Sequence, residues 1–337
     1  MSEAARERPA GPTGRSLGLL AALLAAALAA TVGVCSLFGP LGLGQLSPQM
    51  YLARLSTLLA AATAGAALGA AGLGLQGLLR NPLAEPYILG VSSGAGVGVL
   101  IGLAVGGIGF LPALLTTPIL AFAGAMVTCL AVYAIARRRG RLDPYTLILA
   151  GVVVNAFNGA IMLLIHLYID PHRMARFIRW SMGQVPDVTD FSRLAVAGGA
   201  VVAAWAGLLW RAAAINTLGL GDAVALSAGV AVHRLRIEIF LLASLATAAA
   251  VALTGPIGFV GLIVPHICRS LLGPDHRKLA IVSGFGGAIF LTVAHTICAN
   301  IGPWLNISDI PVGILTALAG GPFFIVLLRR RSREIRI

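Results

Sequence analysis

The sequence predicts an all-α polytopic membrane protein of about ten transmembrane helices with both termini cytoplasmic. Charged residues make up only 11% of the 337 positions, against ~25% in soluble domains, too few to coat a soluble globule. Mean hydropathy is +0.93. Glycine recurs every fourth position at Gly90, Gly94, Gly98, Gly102 and Gly106, which places a stripe of bare backbone on one helical face. Such a stripe lets a second helix approach closely, and in lipid this packing replaces the missing hydrophobic drive. The helix before the stripe breaks at Arg80-Asn81-Pro82 and the chain breaks again at Pro86. A tightly packed helix pair is therefore expected here, hinged on a polar loop whose backbone cannot face lipid.

Each crossing takes ~20 apolar residues. In order they are read at 17–38, 55–78, 87–106, 112–136, 144–169, 194–214, 237–254, 256–272, 278–300 and 311–328. The first run is too long for the apolar core of a signal peptide, and Val34 before Cys35 is not the small residue of a lipoprotein site, so it is read as a retained crossing. The fourth ends on the arginines of 137–141, and the fifth opens after Asp143-Pro144. Between the fifth and sixth, 171–182 reads as an amphipathic helix outside the membrane. The seventh and eighth are split at Gly255-Pro256. Merging them would give an odd number of crossings and strand the C-terminal arginines outside. Tails 1–16 and 329–337 flank a single domain, 17–328.

The net charge is +12, but the cations sit in short clusters between apolar runs. They lack the aromatic interleaving of nucleic-acid binders, so no nucleic-acid partner is expected. With the N-terminus inside, only Arg54, Arg173, Arg176, Arg179 and Arg193 of the 24 basic residues remain outside. That asymmetry fixes the orientation in the lipid bilayer.

Ionisable groups inside a membrane usually mark ion or proton paths. Here Glu85, Asp143, Asp170, Asp187, Asp190, Asp222, Asp275 and Asp309 fall at helix ends or in loops, and Glu238 lies barely inside its crossing. This counts against an ion-coupled secondary carrier. Nucleotide hydrolysis by a P-loop needs a lysine after its glycines, and the only lysine is Lys278 in Asp275-His276-Arg277-Lys278. A pump built on this chain would draw power from a partner. No paired acid and base or metal cluster lies within one crossing, so catalytic residues and metal ligands are not expected. Cys35, Cys129, Cys268 and Cys298 lack metal-ligand spacing and read as small packing residues.

In the fifth crossing Asn155, Asn158, Met162 and His166 follow at intervals of 3, 4 and 4. Spacing leaves two readings equally open: a stripe lining a path, or amides gluing helices together. Thr316 and the Gly320-Gly321-Pro322 break in the tenth crossing are compatible with a pore wall. On the inside, Asp222 reads as an N-cap and Gly229 as a stop, enclosing about two helical turns. That stub is ~10 Å long, too short to span. It suits a groove on a cytoplasmic partner or an ordinary connector, and the residues alone favour the connector. The segment 255–266 is glycine-rich and twice broken by proline, with His266 as a capping or packing histidine.

Gln76 with Arg80-Asn81-Pro82-Leu83-Ala84-Glu85-Pro86 and Leu89-Gly90-Val91-Ser92-Ser93-Gly94-Ala95-Gly96 resembles the permease family of bacterial importers for vitamin B12, ferric siderophores and haem. So do Gly258-Phe259-Val260-Gly261-Leu262-Ile263-Val264-Pro265-His266 with Asp275-His276-Arg277, and Ile310-Pro311-Val312-Gly313-Ile314-Leu315-Thr316 with Gly321-Pro322. The resemblance implies a homodimer seated on two ATP-binding-cassette subunits, which bind ATP and magnesium, and a periplasmic binding protein that delivers cargo. No cofactor is implied in this chain. Asn155, Asn158, Met162, His166 and Thr316 would line the path, and Tyr145 and Thr146 would form the cytoplasmic gate. Gly221, Asp222, Ala225, Ser227 and Gly229 would couple to the ATPase.

Two departures from the family bear on receptor docking. An Arg-Leu-Pro-Arg run common before the second helix is Arg54-Leu55-Ser56-Thr57 here, so only Arg54 matches. The Ala-Asp-x-x-Ala-Arg of many members is Ala294-His295-Thr296-Ile297-Cys298-Ala299. Docking is therefore assigned to Arg54 with Arg173, Arg176 and Arg179, which recur every third residue on the outside helix. Attraction of an anionic substrate, or a headgroup-facing surface, are the alternatives. The expected function is ATP-driven import of a ferric siderophore or haem, ahead of cobalamin. The rival from another class is a self-sufficient carrier or channel.

Overall fold

A computed structural model describes residues 14–39, 47–105, 113–138, 141–186, 191–305 and 310–334. Gly106, Arg139, Asp187, Asp190 and Asp309 of the sequence reading lie outside them. The described chain forms α1 (Gly14–Leu37), α2 (Pro48–Leu79), α3 (Val91–Val105), α4 (Ala113–Ala136), α5 (Pro144–His166) and α6 (Pro171–Ser181). It continues through α7 (Phe191–Gly219), α8 (Asp222–Ser227), α9 (Val232–Thr254), α10 (Val260–Leu272), α11 (His276–Ile301) and α12 (Val312–Glu334). A two-residue antiparallel hairpin, β1 (Arg137–Arg138) with β2 (Arg141–Leu142), precedes α5.

Among the described residues, eight helices are long and apolar enough to cross a membrane: α1, α2, α4, α5, α7, α9, α11 and α12. The third and eighth predicted crossings are shorter helices, α3 and α10, because each gives part of its length to irregular backbone. Before α3 a single 3-10 turn, Pro86–Leu89, ends at Gly90 with φ +82°. Before α10 the chain is non-helical from Gly255 (φ +70°) to Phe259 (φ +69°).

These two irregular segments meet and satisfy each other. The Glu85 carboxylate accepts from the Phe259 N–H, and the Tyr87 hydroxyl accepts from the Ile257 N–H at 2.9 Å. The buried Gln76 amide donates to the Gly261 carbonyl at 3.2 Å and accepts from Arg269 at 3.2 Å. Two family-like blocks, far apart in sequence, thus complete each other's hydrogen bonds, the condition for irregular backbone inside a membrane protein.

The core is built on α2, which packs against α11, α9, α7 and α10. Small residues make this possible. A Cβ added at Gly65 would lie 2.1 Å from the Gly287 carbonyl oxygen, and one at Gly72 would lie 1.9 Å from that of Gly261. The glycine stripe of α3 packs differently from the sequence expectation. Its partner is α4: a Cβ at Gly94 would sit 2.1 Å from Thr128 Oγ1, and one at Gly98 would sit 2.0 Å from the Leu120 carbonyl oxygen. Gly102 faces the Leu120 side chain, and Gly90 serves the left-handed turn. The surface of α2 is covered by α11, α9, α7 and α10, and α3 turns its bare face to α4.

Candidate functional site

Beside α5 lies an open cavity of about 910 Å³, lined by Tyr87, Ser92, Ser93 and Gly96, by Asn155, Met162 and His166, and by Met174, Phe177, Trp180 and Pro256, among others. Asn155 Oδ1 accepts from Ser93 Oγ at 2.6 Å, while its amide group reaches the Tyr87 and Ile88 carbonyls at 3.4 Å. Asn158 does not line the cavity. It is buried, donating to Ser93 Oγ at 3.0 Å and Thr128 Oγ1 at 3.2 Å, and so ties α5 to α3 and α4. At 3.6 residues per turn, Asn158 lies ~60° off the line joining Asn155, Met162 and His166. The four-residue stripe is thus split, with one amide acting as glue and three residues lining the cavity.

Thr316 also departs from expectation. It is 1% exposed and its hydroxyl donates to the Gly313 carbonyl at 3.1 Å. Its neighbours Gly313, Ile314, Ala317 and Leu318 line a second cavity of about 500 Å³ with Met182 and Gly258. Ser181 and Pro256 line both cavities. Together these form one trough, lined by α5 at one end and α12 at the other.

The amphipathic helix α6 covers part of the trough. Met174, Phe177 and Trp180 recur every third residue toward the cavity, with the two rings stacked at 6.0 Å. The sequence reading picked out the arginine stripe of this helix and missed the apolar one a residue along. Its spacing was the available signal. The chain after α6 is fastened by Gln184 N–H to the Thr254 carbonyl (2.8 Å) and by Gly313 N–H to the Gly183 carbonyl (2.9 Å).

Two of the four arginines expected to dock the receptor are bonded within the chain. Arg54 donates to the Ser36 carbonyl at 3.2 Å, and Arg173 pairs with Asp170 at 2.6 Å and donates to the Leu103 carbonyl at 2.7 Å. Both cations therefore satisfy carbonyls at the ends of α1 and α3. Arg176 and Arg179 are exposed.

At the start of α5, the Asp143 carboxylate caps the helix by accepting from the Thr146 amide (2.7 Å) and hydroxyl (2.6 Å). These bonds hold its carboxyl below the ordinary range. Tyr145 beside it is exposed. Glu238 is matched by Arg211 at 2.7 Å and Arg234 at 3.0 Å.

Asp222 is not the N-cap of α8. Gly221 (φ +122°) holds that position without a side-chain bond. The Asp222 carboxylate instead pairs with Arg80 and, at 2.9 Å, with Arg236. The side chains of Arg80 and Asp222 are 36% and 43% exposed, so the pair is worth at most ~1 kcal/mol. The C-terminal stop falls where the sequence placed it. Gly229 (φ +77°) closes a Schellman motif, with Gly229 N–H to Leu226 O at 3.0 Å and Val230 N–H to Ala225 O at 2.9 Å. Ala225 is buried against the bundle, Ser227 Oγ donates to the Val224 carbonyl at 3.0 Å, and Leu220, Val224 and Leu226 stand exposed.

Residues 17–330 match the model of the FecCD transport family. The chain is 41% identical over 292 residues to the cobalamin import system permease protein BtuC of Halobacterium salinarum, covering 84% of this chain and 73% of that one. It is 36% identical over 283 residues to the hemin transport system permease protein HmuU of Yersinia pestis, covering 83% of each. A solved metal-chelate type ABC transporter in an inward-facing conformation superposes with a TM-score of 0.82 at 27% identity, over 93% of this chain and 99% of that one. The chain belongs to the FecCD transport family, as a multi-pass membrane permease of an ABC importer for metal chelates or vitamin B12, and is not itself an enzyme.

Proposed function

We propose that two copies of this chain close their troughs against each other to form one passage, and that two ATPase subunits docked on α8 drive it. The observation that carries this reading is the trough itself, open on one side and edged by helices with exposed apolar faces. Leu149, Val153 and Phe157 of α5 and Ile314 and Leu318 of α12 are exposed, and a second copy would cover them. In this reading the ten crossings place both termini inside, with Tyr145 and Thr146 at the inner mouth.

Cargo follows from the lining. Met162, Met174, Phe177 and Trp180 give it a soft, aromatic character, with Asn155, Ser92 and Ser93 as the polar contacts. That chemistry suits haem, whose broad faces are apolar, better than a polyanionic ferric catecholate, which would need cations. Cobalamin is the second reading, supported by the similarity to a cobalamin permease. Co-expression with the cognate ATPase should yield a complex whose native mass contains two copies of each subunit. A stable one-to-one complex would overturn the shared passage.

Receptor docking is assigned to Arg176 and Arg179. The double variant Arg176→Glu/Arg179→Glu should weaken capture of the periplasmic binding protein roughly tenfold at low salt, with the loss fading as salt rises. Surface plasmon resonance measures it. Unchanged affinity would leave these arginines facing headgroups.

A further inference from the structure

We propose that Asp222 is a positioning residue that links α8, through Arg80, to the wall of the cavity, so that displacement of α8 reaches the contact between Tyr87 and Asn155. The inference rests on the importer reading above and names the residues through which its two ends communicate.

The stub is built to move. Gly221 and Gly229 flank it in left-handed or unusual backbone, and a Cβ added at either would meet nothing within 4 Å. Only Ala225 is buried along its length. Among the described residues, the ion pairs of α8 are both made by Asp222, to Arg80 and to Arg236. An aspartate at a helix start would ordinarily cap it. Here the carboxylate is turned away from that duty toward two cations on other elements.

Arg80 sits at the point where rigid structure gives way. It is the left-handed cap of α2 (φ 48°) and the first residue of the irregular stretch. That stretch is stiff, with Leu83 N–H bonded to Asn81 Oδ1 at 3.1 Å and Ala84 N–H to the Asn81 carbonyl at 3.0 Å. It ends at Tyr87, which lines the cavity and faces the Asn155 amide. A pull on Arg80 therefore arrives at the cavity wall over a short, bonded turn.

Coupling requires an element with two arrangements, and the shared carboxylate supplies one. Arg236 is only 14% exposed and stays with Asp222 when the more exposed Arg80 leaves. Half-exposed ion pairs exchange cheaply, so the link opens and closes within a transport cycle.

The test uses the full permease–ATPase complex in sealed proteoliposomes with its binding protein, probed with haemin, cyanocobalamin and a ferric tris-hydroxamate. Arg80→Gln should still co-elute with the ATPase and hydrolyse ATP at the parent's basal rate. Its stimulation by the loaded binding protein should fall about fivefold or more, and Arg80→Lys should retain it. The losses of Arg80→Gln and Asp222→Asn should combine to less than their sum in the double variant, since the Arg80–Asp222 contact is common to both, while Asp222→Asn also weakens the pair with Arg236. Full stimulation in Arg80→Gln, or losses that add in the double variant, would overturn the proposal. So would an Arg80→Gln that fails to assemble while Arg80→Lys assembles, because the contact would then hold the fold and carry no signal. A parent complex that couples ATP to uptake of none of the three chelates strikes instead at the importer reading.

Discussion

Gly98→Leu is expected to yield almost no folded protein. A Cβ at this position would lie 2.0 Å from the Leu120 carbonyl oxygen of α4 and 3.4 Å from the Gly124 Cα. The obstruction is backbone, which cannot rotate aside as a side chain can. Overpacking against movable side chains costs ~1–3 kcal/mol. Here α3 and α4 must separate, and lipid offers no hydrophobic drive to reunite them. Gly199→Leu is the matched control, because a Cβ there meets nothing within 4 Å. Size-exclusion profiles of detergent extracts should show a monodisperse peak for Gly199→Leu and loss of that peak for Gly98→Leu. A normal peak for Gly98→Leu would mean that the stripe does not hold α3 against α4.

The second large effect concerns α8. Val224 and Leu226 are exposed on a stub held in place by the buried Ala225 and the Gly229 stop. If they seat in a groove of the ATPase, each is an apolar anchor worth about 2 kcal/mol. Val224→Asp/Leu226→Asp should therefore weaken ATPase association about a thousandfold and abolish uptake, while the permease still folds. Co-purification and ATP-dependent uptake measure this, and an intact complex would remove α8 from the docking surface.

The eight long helices were legible because each is a long apolar run bounded by charges or proline, and that pattern depends on the chain alone. The stop at Gly229 was legible for the same reason: a local conformation demanded glycine. Contacts between distant segments were not. The stripe of α3 announced a close partner but not which helix, since α2 is covered by α11, α9, α7 and α10, all later in the chain. Gly65, Gly69 and Gly72, which bring α2 against α11 and α10, follow at intervals of 4 and 3 on one helical face, a signal passed over because it lies in an alanine-rich run. Asn158 and Thr316 had the right residue type, but small rotations about α5 and α12 buried both. Asp222 had the composition of a cap and the surroundings of an ion pair, and only the fold supplies Arg80 and Arg236. Arg54 and Arg173 were read as docking residues because the carbonyls they satisfy belong to other helices.

The central claim is that this chain supplies a passage and takes its power from a partner. The direct measurement is haemin and cobalamin accumulation in proteoliposomes containing the permease alone or with its ATPase and binding protein. Uphill accumulation is predicted only in the complete system with ATP on the ATPase side, and none when a proton or sodium gradient is imposed on the permease alone. Gradient-driven accumulation by the isolated chain would contradict it.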